Sequence, residues 1–145
     1  MCQMARVINT DSTGKRRNQN MRTAAEILRH LSKKQGIDDD VKDMLAALVF
    51  CFREIDEGIE QSTIAWEKRD YWMKAEDFRR RWYWVGLMEA EIKSILQKEE
   101  WHKLPELMVK LMPHLADIKV TKFTRKESDW NGSYAQLIDE LPPSG

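Results

Sequence analysis

From Val41 to Trp66 apolar side chains return every three or four residues, at Val41, Leu45, Leu48, Phe52, Ile55 and Ile59, and the stripe ends on Trp66 itself. That is the period of one helix face, so the stripe predicts a helix over about 39–66 with that face buried. Asp38, Asp39 and Asp40 stand at its start, supplying an N-cap and negative charge at the positive end of the helix dipole. A second stripe, formed by Tyr71, Phe78, Trp82, Val85, Ile92 and Leu96, predicts a helix over about 71–98. The stripes are out of phase, because Trp66 to Tyr71 is a step of five. That slip predicts a turn at 67–70, with Asp70 capping the second long helix. The competing arrangement fuses both stripes into one rod, which exposes more apolar area and demands oligomerisation.

Shorter patterns lie on either side. Ala24, Ile27, Leu28 and Leu31 predict a helix over about Met21–Lys34, with Thr23 and Glu26 as a capping box, Asn18 or Asn20 as alternative earlier starts, and Gly36 as its stop. Leu104, Leu107, Met108, Leu111 and Leu115 predict another over Trp101–Met112, with Pro105 tolerated in the first turn and Pro113 ending or kinking it. Ile118–Arg125 reads as extended. Ser133 and Gln136 resemble a capping box for a last short helix, Tyr134–Leu141, stopped by Pro142 and Pro143.

The expected fold is all-α: an antiparallel helical bundle built on a long helix hairpin (about 39–66 and 71–98), with two shorter flanking helices and extended tails. Residues 1–20 read as a basic flexible arm, in which Arg6, Val7 and Ile8 are candidate anchors to the body. Residues 21–116 form the bundle domain. Residues 117–145 are an extended tail whose short terminal helix packs on the bundle. At 1.5 Å per residue each middle helix is about 42 Å long, roughly twice its neighbours. The short helices therefore cover one end of the hairpin. The other end needs cover from the tails (Ile118, Val120, Phe123, Trp130, Tyr134, Leu137), from a second copy, or from a partner.

Composition adds limits. The chain of 145 residues is long enough for one domain with a real core. Its formal net charge is +0, so it has no bulk attraction to nucleic acid or to an anionic membrane. The distribution is less even: Arg6, Lys15, Arg16, Arg17 and Arg22 face only Asp11 in the first 22 residues, while residues 37–65 are strongly acidic. Cys2 and Cys51 are poorly placed to pair, which fits a reducing, cytoplasmic compartment. The start lacks the apolar stretch of a signal peptide, and either Met1 or Met4 suits a natural start. No window approaches the ~18 apolar residues of a membrane span.

Candidate chemistry concentrates in Trp66–Trp84, which holds Trp66, Tyr71, Trp72, Phe78, Trp82, Tyr83 and Trp84, interleaved with Lys68, Arg69, Lys74, Arg79, Arg80 and Arg81. Aromatic rings and arginine dominate binding hot spots. Helical phase turns Tyr71, Phe78 and Trp82 toward the core and Trp72, Arg79, Arg80, Tyr83 and Trp84 away from it. The expected function is a small, non-enzymatic interaction or adaptor protein, self-associating as a homodimer or binding a protein partner through Trp66, Tyr71, Trp72, Arg79, Tyr83 and Trp84. The alternative is a nucleic-acid-associated protein using Lys15, Arg16, Arg17 and Arg22 with Arg79, Arg80 and Arg81, stacking bases on the aromatics. Glu67, Asp70, Glu76 and Asp77 dilute that basic charge.

Other chemistry finds little footing. A carboxylate di-metal bundle needs Glu-x-x-His on each of two helices, and the chain has that spacing once, at Glu99 and His102 beyond the second long stripe. Cys51 has no neighbouring base, and no nucleophile elbow, phosphate loop or zinc motif occurs. No cofactor, metal or small-molecule substrate is expected, nor an association with membranes. Glu89 falls on the apolar stripe of the second long helix, where a carboxylate needs a partner. Ser62 and Thr63 interrupt the other stripe, where bonds to carbonyls one turn back would satisfy them.

Overall fold

The computed structural model describes residues 10–141, with side chains from residue 13 onward. The chain is all-α. Its helices are α1 (Thr10–Ser32), α2 (Asp39–Glu67), α3 (Trp72–Lys98), α4 (Leu104–Leu115, entered through a 3-10 turn, Trp101–Lys103), α5 (Glu127–Trp130) and α6 (Ser133–Glu140). Among the described residues there is no strand, and no helix is long and apolar enough to cross a membrane.

The centre of the structure is α2. Met44 to Phe52 is an unbroken apolar run, MLAALVFCF, so this helix is hydrophobic on every side and must be enclosed. It packs against α1, α3, α5 and α6. Asp38 caps its start, accepting the Val41 N–H at 2.8 Å. Against α3 the contacts run in opposite chain order: Trp66 meets Phe78, Asp56 lies beside Gly86, and Arg53 reaches Glu89. The two helices are thus antiparallel along their length.

The turn between them differs from expectation. Asp70 does not cap α3; it closes α2. It sits in the left-handed region (φ 65°), and two backbone bonds seal the helix end: Asp70 N–H to the Glu67 carbonyl and Tyr71 N–H to the Trp66 carbonyl. This is the Schellman pattern, normally built on glycine. Glu99 ends α3 in the same conformation, with φ 55°.

Three further expectations change. First, residues 10–20 of the expected arm are helix, part of α1; the candidate anchors Arg6, Val7 and Ile8 lie outside the described residues. This polar stretch is a poor helix by propensity, and docking holds it. Arg16 pairs with Glu54 at 3.0 Å, and the Thr13 methyl approaches Gly58, where a side chain would crowd it. Second, Thr23 and Glu26 form no capping box, because they lie inside the helix; Thr23 bonds the Gln19 carbonyl instead. Third, α4 runs two residues past Pro113, which forfeits one backbone bond on an exposed face while burial of Leu111 and Leu115 holds the last turn.

Carboxylates of α1 and α2 hold the C-terminal segment. Glu26 is 0% exposed and accepts three hydrogen bonds: Thr124 N–H at 2.7 Å, Thr124 hydroxyl at 2.9 Å and Arg125 N–H at 3.0 Å. Asp40 accepts the Trp130 indole N–H at 2.6 Å, and Asp43 accepts the Tyr134 N–H at 2.9 Å. Asp43 therefore caps α6 from another helix. The expected Ser133 capping box is absent, and Gly132 occupies the N-cap with φ 87°. Arg29 donates to the Ile118 carbonyl, and Arg53 pairs with Glu140 at 2.9 Å. Glu89, 12% exposed at its side chain, is neutralised by Lys93 and Arg53. Thr63 bonds the Glu60 carbonyl.

Burial pushes the Glu26 carboxyl up, but the bonds from Arg125 and Thr124 outweigh it and hold the group below its ordinary range. The folded state thus binds fewer protons at this site than the unfolded chain. The stabilisation is complete above the unfolded carboxylate pKa and is lost as pH falls through the folded value. Glu26→Ala strands the Thr124 and Arg125 N–H groups and is expected to cost about 3 kcal/mol in urea unfolding. The gap between wild type and Glu26→Gln should shrink as pH is lowered into the acid range; a gap independent of pH would disprove the assignment.

Candidate interaction surface

Five ring–ring contacts occupy the distal half of the α2–α3 pair. Trp66 meets Phe78 edge-on at 4.9 Å between centroids, and the Lys74 ammonium sits 4.6 Å above the Trp66 ring. Phe78 is followed by Trp82 at 6.4 Å, and Trp82 by Trp84 at 6.2 Å. Trp84 also meets Phe52 edge-on at 5.7 Å and stacks on His114 at 4.0 Å, with the planes 5° apart. His114 comes from the last turn of α4, and burial holds its pKa below the ordinary imidazole value. The expectation that Trp84 faces away from the body is therefore wrong: α4, continuing past Pro113, reaches it.

The N-terminal half of α1 supplies the other cover. The Arg17 guanidinium lies 5.1 Å from the Phe78 centroid and 5.3 Å from that of Trp82, and burial lowers its pKa. A desolvated guanidinium on two ring faces is a strong form of cation–π contact. The indole N–H of Trp82 is buried without an acceptor among the described residues.

What remains uncovered is specific. Tyr71, placed on the buried stripe by sequence, is 51% exposed because the left-handed turn at Asp70 swings it out of register. Trp72 is 59% and Tyr83 68% exposed. Sequence reasoning missed Met73, at 83%, and Leu87, at 49%. Their signal was available: Met73, Glu76, Arg80, Tyr83 and Leu87 follow steps of three and four along one face of α3. Arg79 is not an open contact, since it bridges Glu67 and Glu60 between the two helices, and this pairing depresses the Glu67 pKa. Trp66 is half-buried.

The basic residues proposed for nucleic acid do not converge into one open patch. Arg16 is paired to Glu54, Arg17 covers rings, Arg22 lies 3.9 Å from Glu26, Arg79 is bridged, and Arg80 contacts Glu76 and Asp77. Only Lys15 and Arg81 of the seven lack such engagement among the described residues.

Other chemistry is sparse. Among the described residues no three His, Cys, Asp or Glu side chains converge as a metal site requires. The Cys51 thiol is pushed up to about 12 by burial, first, and by the Glu54 charge, so it is protonated and unreactive. At the opposite end of the bundle Ile37, Val41, Trp101, Leu104 and Met108 line an open apolar hollow of ≈ 380 Å³. Ser32, Lys34 and Gln35 supply its polar lining. Compared with known proteins, the chain matches no family model, no curated protein and no solved structure.

Arg17→Ala removes the lid from Phe78 and Trp82. The expected loss is about 1–2 kcal/mol of stability with a red shift of tryptophan emission. An unchanged urea midpoint and emission maximum would show that α1 contributes nothing to covering these rings.

Proposed function

We propose that this protein is a small, non-enzymatic helical interaction protein whose binding surface is the outer face of the distal α2–α3 pair, centred on Trp72 and Tyr83. The observation that carries this reading is the exposure of Tyr71, Trp72, Met73, Tyr83 and Leu87 on the first half of α3 and the turn before it, where Tyr71, Trp72 and Tyr83 are the most exposed phenylalanine, tyrosine or tryptophan side chains among the described residues. Large apolar groups at that level of exposure mark contact surfaces, and aromatic residues anchor them. Of the six residues that sequence nominates, Tyr71, Trp72 and Tyr83 stay in the proposed surface. Trp66, Arg79 and Trp84 serve instead as its support, fixing the helices that present it. The reduced, buried Cys51 is compatible with a cytoplasmic setting. The nucleic-acid reading gains no support from the geometry, because Arg16, Arg17, Arg22, Arg79 and Arg80 are already engaged by carboxylates and rings.

Site-specific photo-crosslinking in the native cell tests this directly. A crosslinker at Tyr83 or Trp72 is expected to give discrete protein adducts, while one at exposed Lys119 gives none. Absence of adducts from both aromatic positions would overturn the reading.

A further inference from the structure

The exposed stripe of α3 has an order that identifies its occupant. Met73, Glu76, Arg80, Tyr83 and Leu87 alternate steps of three and four, the spacing of a helix seam built to meet another helix. Along the seam the order is apolar, acid, base, apolar. Asp77 and Arg81 repeat the acid-then-base order beside it. In the isolated chain Arg80 contacts Glu76 at 3.3 Å and Asp77 at 3.6 Å, and all three side chains remain largely exposed.

We infer that this face binds a second copy of the same chain, α3 against α3, antiparallel about a two-fold axis midway between Glu76 and Arg80. This rests on the interaction reading above and names its partner. The argument is charge order. Parallel pairing sets Glu76 against Glu76 and Arg80 against Arg80, which repels. Antiparallel pairing about residue 78 sets each Glu76 against the partner's Arg80 and each Met73 against the partner's Tyr83. A seam that is complementary to its own reverse is what an isologous interface requires. Trp72 flanks the contact at both ends. Cover on the other sides of α3 is already given by α2 and α4, so this is the face left for a copy. The self-paired stretch from Met73 to Tyr83 spans about 15 Å, at the low end for a stable interface, so the dimer is expected to dissociate in the micromolar range.

Charge reversal tests it on the full chain by sedimentation equilibrium. Wild type is expected to be dimeric at high concentration. Glu76→Arg and Arg80→Glu each place like charges across the axis twice and should weaken association by at least about tenfold. The double variant Glu76→Arg/Arg80→Glu restores complementarity and should recover the dimer. Circular dichroism confirms that each variant is folded. A wild type that is monomeric throughout, single variants as dimeric as wild type, or a folded double variant that stays monomeric would each overturn the inference. The Tyr83 crosslink separates the two readings. An adduct of twice the chain mass supports both. A foreign protein bound to a monomeric chain overturns the dimer and leaves the interaction reading standing.

Discussion

One helix that is apolar on every side sets the terms for the rest of this structure. Met44 to Phe52 leaves α2 no face that water can wet without cost, so every other element is positioned by the need to enclose it. The α1 helix takes one side and α3 a second, while α5 and α6 take a third. The supply of covering helices is limited, and α2 claims most of it. The outer face of α3 is left over, as is that of α4 at Val109 and Met112, and there large apolar residues stay in solvent. The candidate surface is thus a consequence of how burial is allotted among helices of unequal length.

Charge follows the same logic at a finer scale. The acids of α1 and α2 are not a solvated outer face alone. Glu26, Asp40 and Asp43 each take a donor from the C-terminal segment, and Glu54 takes Arg16 from α1. These are donors that an apolar wall would leave unsatisfied. Arginines are used similarly: Arg79 between Glu60 and Glu67, Arg53 between Glu89 and Glu140. In a sequence with no net charge, these paired charges tie one helix to another.

How much of this could be read from residues alone follows from what is local. The long helices were legible to within a residue at 39–66 and 71–98, because Asp38, the two stripes and the phase slip after Trp66 are all local signals. The early half of α1 was not. TDSTGKRRNQN looks like an arm, and only docking of Arg16 and Arg17 on distant side chains makes it helix. Helix ends at Asp70 and Glu99 carry no glycine to announce them. The site was half legible. Trp72 and Tyr83 follow from helical phase, whereas the burial of Trp84 depends on His114, thirty positions away and beyond a proline. Capping of α6 by Asp43 could not be seen by any local rule.

The borrowed caps bear on the order in which the molecule assembles. Glu26 meets Thr124 at a separation of 98 residues, Asp40 meets Trp130 at 90, and Asp43 meets Tyr134 at 91. Short helices such as α5 and α6 do not nucleate unaided, so they form only after α1 and α2 have presented their carboxylates. On the ribosome, Glu26 therefore waits for a further 98 residues to be made before Thr124 is joined to the chain. Until then α1 carries a charge that favours water over the core, and the segment around Thr124 is what allows α1 to settle.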